Sequence, residues 1–104
     1  MRYNRRCREK FSTAVYHLAV DKGDVRARLR SAYYHLRMLS ESEVPQQLRK
    51  EWKSILAALT HYGPETGTDG NVYRTAVDYT TYRIRNSTGQ KIAKRIWALY
   101  YEVA

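Results

Sequence analysis

Leu48-Arg49-Lys50-Glu51-Trp52-Lys53-Ser54-Ile55-Leu56-Ala57-Ala58-Leu59 places large apolar residues at 48, 52, 55 and 59. Steps of four, three and four keep such side chains on one side of an α-helix, because about 3.6 residues make a turn. Four further stretches carry the same step. They are Cys7, Phe11, Ala14/Val15, Leu18; Val25, Leu29, Ala32, Leu36, Leu39; Tyr73, Val77, Thr80, Ile84; and Ile92, Ile96, Leu99, Val103. The stripe through Leu48 continues to Tyr62. Five helices with one buried stripe each predict an all-α fold, a single antiparallel bundle of four or five helices over residues 1–104.

Punctuation between the stripes sets the boundaries. Asn4 can cap a first helix that runs to Val20. Asp21-Lys22-Gly23-Asp24 reads as a turn, with Asp24 capping a second helix to about Leu39. Ser40 to Val44 reads as a polar linker. Pro45 suits the first turn of a third helix, where a missing N–H costs nothing. Gly63-Pro64 closes that helix. Short connections predict antiparallel neighbours.

Residues 63–71 hold three glycines and a proline, so they predict a loop without regular structure, and the most mobile part of the chain. Residues 72–86 are rich in strand-favouring Val, Tyr and Thr. Their apolar positions nonetheless fit a helix better than alternation, and a lone strand would lack a partner. The reading is therefore helix. Ser87 and Gln90 have capping-box spacing, which predicts a break there. Without that break, residues 72–103 would form one kinked helix about 48 Å long at 1.5 Å per residue. Such a helix must kink or leave half of its stripe for a second copy, which raises the expectation of a homodimer.

A chain of 104 residues is one domain's worth and has a 43% hydrophobic fraction, enough for a core without staples. Tyrosine dominates the aromatic set, ten against two tryptophans and one phenylalanine, so much of the aromatic area carries a hydroxyl that wants water or a partner. Cys7 is the only cysteine, which excludes an internal disulfide and a thiolate zinc site. The apolar run from Phe11 to Val20 is too short and too polar for a membrane span. These features predict a soluble, cytoplasmic protein with no membrane partner.

The net charge of +9 is clustered. Arg2, Arg5, Arg6, Arg8 and Lys10 face only Glu9 within the first ten residues; Arg26, Arg28, Arg30 and Arg37 face only Asp24 in 24–40; and Arg83, Arg85, Lys91, Lys94 and Arg95 face only Glu102 in 83–104. An excess of this kind favours polyanions. On the second helix Arg26, Arg30, Tyr33 and Arg37 fall on one flank. Guanidinium groups pair with phosphate in a forked geometry, and a ring can stack on a base. Arg5, Arg6 and Arg8 would extend that strip, and Lys91, Lys94 and Arg95 on the last helix would form a second basic patch. These ten residues are the predicted nucleic-acid contacts.

His17, His35 and His61 lie on three different predicted helices, and no two of them stand three or four residues apart, so no metal or cofactor is expected. The carboxylates are too dispersed for an acid/base pair. Cys7 sits on a buried stripe and reads as an inert core residue. No glycine-rich loop precedes a lysine-serine or lysine-threonine pair.

Arg30-Ser31-Ala32-Tyr33-Tyr34-His35 resembles a helix of HEPN domains, small all-α modules of which some are ribonucleases using an arginine and a histidine a few residues apart. Those enzymes usually carry the pair in a later helix. There this chain reads Arg85-Asn86-Ser87-Thr88-Gly89-Gln90, with glutamine in the histidine's place. The resemblance implies RNA cleavage by Arg30 and His35, or a role for Arg85 and Asn86.

Taken residue by residue, the chain predicts a non-catalytic helical module that binds the phosphate backbone of RNA or DNA through a basic face. The alternatives are a protein-interaction or self-assembly module, with an acidic protein or a second copy as partner, and a HEPN-like ribonuclease.

Overall fold

The computed structural model describes residues 4–104. α1 (Arg5–Val20) begins where the Asn4 side chain accepts the Cys7 N–H, satisfying one of the donors that a first turn leaves open. Cys7, Phe11, Ala14, Val15 and Leu18 are all buried. α2 (Val25–Leu36) starts at Asp24, whose carboxylate accepts the Ala27 N–H at 3.1 Å. It stops at Leu36 rather than near Leu39, and side chains from elsewhere take carbonyls at and just beyond its end. The Trp52 indole donates to the Leu36 carbonyl at 3.1 Å, and Arg6 donates to that of Met38 at 3.1 Å.

The linker expected at 40–44 holds a short 3-10 turn, Glu41–Glu43, closed by the Glu43 carboxylate accepting the Ser40 N–H. Val44 is fully inside the core. Pro45 sits one residue ahead of α3 (Gln46–Leu59), which buries Leu48, Trp52, Ile55 and Leu59 as its spacing requires. Tyr62, the expected end of that stripe, lies beyond the helix and is exposed.

The loop expected at 63–71 instead contributes half of a hairpin. β1 (Glu65–Thr66) pairs antiparallel with β2 (Val72–Arg74), with Glu65 opposite Arg74. An Arg74–Glu65 ion pair at 2.7 Å crosses the strands. Asp69 holds the connection, accepting the Asn71 N–H at 3.0 Å and the Tyr73 hydroxyl at 3.1 Å. The strand preference of 72–74 therefore prevails over the helical stripe, because the glycine-rich segment supplies the missing partner. Tyr73 is exposed in β2.

The helical expectation holds from Thr75, which caps α4 (Ala76–Arg83). Val77, Thr80 and Thr81 are buried; Thr80 accepts the Tyr62 N–H, and Thr81 donates to the Val77 carbonyl. The break before α5 (Asn86–Val103) falls at Ile84 and Arg85, both extended, and not at Ser87–Gln90, which form the first turns of α5. No single long helix exists. The Arg26 guanidinium from α2 donates to the carbonyls of Ile84 at 3.2 Å and Tyr82 at 3.5 Å, closing the end of α4 from outside.

α1 and α2 pack along each other, α5 packs on α1, α2 and α3, and α4 packs on α2 and α3. The result is an all-α bundle, 51 × 26 × 17 Å, with one small hairpin. Among the described residues no helix is long and apolar enough to cross a membrane.

Candidate nucleic-acid interface

Where the end of α3 meets the α4–α5 corner, the chain forms a recess of about 670 Å³. Arg83, Arg85, Lys91 and Arg95 line it, with no acidic residue among its walls. Each arrives for a local reason. Arg83 is in the last turn of α4, Arg85 is the residue that opens α5, and Lys91 and Arg95 stand four apart on α5 and so share a face. Among the described residues, none of Arg83, Arg85 and Lys91 forms an ion pair. α5 starts here without a side-chain cap, so the positive end of its dipole adds to the field of the cations.

Ala58, Ile84 and Ile92 give the recess an apolar floor, and His61 and Tyr62 stand at its edge. The Arg83 guanidinium lies 4.3 Å from the Tyr62 ring centre and 5.5 Å from that of Tyr79, whose hydroxyl accepts from it at 3.4 Å. Two tyrosines thus hold the Arg83 head in place. Arg95 is fixed differently. It forks onto both oxygens of Glu51 at 2.7 and 3.0 Å and donates to Ser54 at 2.7 Å, strapping α5 to α3. The hydrogen bond and charge of Arg95 hold the Glu51 carboxyl below the usual carboxylate range, and Glu51 in turn raises the Arg95 pKa.

The other residues expected from the sequence lie apart from this recess. Arg26 is committed to Asp24 and the α4–α5 corner. Arg30 lines a second, smaller recess with Asp24, Arg26, Arg74 and Asp78, where the signs are mixed. Tyr33 is half-buried against the core, and Arg37 lies 5.9 Å from the Tyr34 ring centre. Arg5 pairs with Glu9, and Arg6 with Glu43. Arg5 and Arg8 line a recess with Tyr100 and Ala104 at the far end of α5. Lys94 is exposed and does not line the basic recess. Arg2 lies outside the described residues.

Arg30 and His35 do not converge. Five residues apart, they stand about 140° from one another around α2, Arg30 toward α4 and His35 toward α1. There the His35 ring stacks on His17, 4.9 Å between centres at 14°, while His17 binds the Asp21 carboxylate at 2.8 Å. Burial, then the charges of His17 and Lys10, lower the His35 pKa, and hydrogen bonding to His17 lowers that of Asp21. Cys7 is fully buried, and burial, aided by the Glu43 charge, pushes its thiol up to about 11. A nucleophilic thiolate is thereby disfavoured. No group of three metal-ligating side chains comes together among the described residues.

Sequence reasoning missed Arg83, Arg85, His61 and Tyr62 as parts of one nucleic-acid site. The sole signal was the density of cations in 83–95; the approach of 58–62 to them is a tertiary fact. Comparison with protein-family models, with curated proteins and with solved structures returns no match for this chain.

Proposed function

We propose that this protein is a non-catalytic binding module that holds the phosphate backbone of nucleic acid in the recess between α3 and the α4–α5 corner. The observation that supports this reading is the convergence of Arg83, Arg85, Lys91 and Arg95 on one concave surface without an acidic wall residue. Arg95 is paired with Glu51, but Arg83, Arg85 and Lys91, gathered without an ion-pair partner among the described residues, raise the local concentration of polyanions and release counterions when phosphates replace the salt. Fluorescence anisotropy of a labelled oligonucleotide tests it. Contacts from these three cations to about three phosphates give a slope of log K on log salt near −2 to −3. R85E and K91E each lower affinity and flatten that slope by about one. Affinity that stays level between 50 and 200 mM salt, about the span over which such contacts weaken steeply, would discard the reading.

A second reading is self-association through α5. Trp97, Tyr100 and Tyr101 form an aromatic cluster with ring centres 5.9–6.2 Å apart, and Tyr101 is 72% exposed. Tyrosine and tryptophan are favoured at interface centres. Sedimentation analysis in which the mass follows concentration, and in which Y101S abolishes that dependence, would favour it. A monomer at every concentration would remove it.

A further inference from the structure

The recess offers more than charge. Its floor of Ala58, Ile84 and Ile92 is apolar, and Tyr62 at its edge remains 43% exposed while carrying the Arg83 guanidinium. His61 meets Tyr62 edge-on, 4.9 Å between ring centres at 79°, so two aromatic rings border the same floor. A duplex keeps its bases stacked inside and presents phosphate rails, which would touch the cationic rim and leave the floor wet. A single strand can turn a base outward and lay it on apolar and aromatic surface, with guanidinium planes as further stacking partners. A volume of about 670 Å³ suits a ligand of nucleotide size, since small-ligand sites span roughly 300–1,000 Å³.

We propose, building on the backbone-binding reading, that the recess selects single-stranded nucleic acid. One unstacked base rests on the Ala58–Ile84–Ile92 floor beside Tyr62, and the flanking phosphates meet Arg85 and Lys91. The class of ligand is set by the pairing of an apolar floor with a cationic rim. Either sugar satisfies it, because no group that would read a 2′-hydroxyl enters the argument.

The test is a set of anisotropy titrations at one salt concentration. The probes are a short labelled RNA strand, its DNA counterpart, the matching duplex, and a strand of the same length made of base-free sugar-phosphate. At least one natural single strand should bind about tenfold more tightly than the duplex and the base-free strand, the scale of one stacked base. Y62A should lower affinity for the natural strand severalfold more than for the base-free strand, whose smaller loss reports only the freed Arg83 head, and Y62F should restore both. Tyr62 is outside the core, so the fold survives these changes. A duplex bound as tightly as the strand, or a base-free strand bound equally, overturns the selection while leaving backbone binding intact. No binding of any probe overturns the backbone reading itself, so the two failures are distinct.

Discussion

Gly89 lies on the buried side of α5, where a Cβ would stand 3.0 Å from Val25 Cγ1 and 3.3 Å from Leu29 Cδ1. Its role is close approach of two helices, not the end of one, which is why a glycine that reads as a break in sequence is helical in the structure. G89L should cost about 1–3 kcal/mol by overpacking, read as a lower urea midpoint; an unchanged midpoint would contradict the close packing. Cys7 was legible from its stripe alone, since position 7 begins the 7–11–14–18 series and all four are buried. With its thiol pushed up to about 11, the thiolate fraction at pH 8 falls by roughly two hundredfold relative to an ordinary thiol near 8.5. Disulfide reagents should therefore modify native protein at least that much more slowly than urea-unfolded protein, and comparable rates would show an accessible thiol. The raised value favours the fold below the unfolded pKa, and that contribution is lost as pH rises from about 8.5 toward 11.

Elements are joined by side chains whose partners sit far off in sequence. Glu51 and Arg95 strap α3 to α5. Because the folded Glu51 pKa is lowered, the strap contributes above the unfolded glutamate value of about 4.3 and is lost as pH falls below it. Glu51 is 43% exposed, so E51Q should cost under about 1 kcal/mol at pH 7. The variant should also show a flatter urea midpoint between about pH 5 and pH 3 than the parent, on either side of the carboxylate's ordinary pKa. A parallel pH profile would remove the strap. Arg26 closes α4 through the Ile84 and Tyr82 carbonyls. R26M should cost about 1.5–2 kcal/mol, the lower part of the range for hydrogen bonds from a charged donor, and should speed amide exchange at the end of α4 and the start of α5. Exchange unchanged there would show that the corner holds without the guanidinium. Helix starts at Asn4, Asp24 and Thr75 are local events. Asn4 and Asp24 were readable from the sequence, whereas Thr75 lay hidden inside the apolar stripe that begins at Tyr73. The hairpin was not readable, because strand pairing between 65–66 and 72–74 depends on a partner across a loop.

Across the whole molecule, α5 separates two cationic groups. Arg83, Arg85 and Lys91 gather near its start, while Arg5 and Arg8 meet Tyr100 and Ala104 near its end. The fifteen residues from Arg85 to Tyr100 put about 20 Å between the two ends, more than twice the Debye length at physiological salt. R85E should therefore weaken oligonucleotide binding several times more than R8E, as measured by anisotropy at 0.15 M salt; an equal loss would move the interface to the other end. The apolar spacing by itself determined the helical class and nearly the whole core, since the period of an α-helix forces residues at such steps onto one side. Charge clustering was equally plain. The tertiary structure alone decided where α4 ends, which cations remain unpaired and which stand beside an apolar floor. Those outcomes depend on contacts between residues 26 and 84, 51 and 95, and 62 and 83, and no local pattern encodes a contact across that much chain.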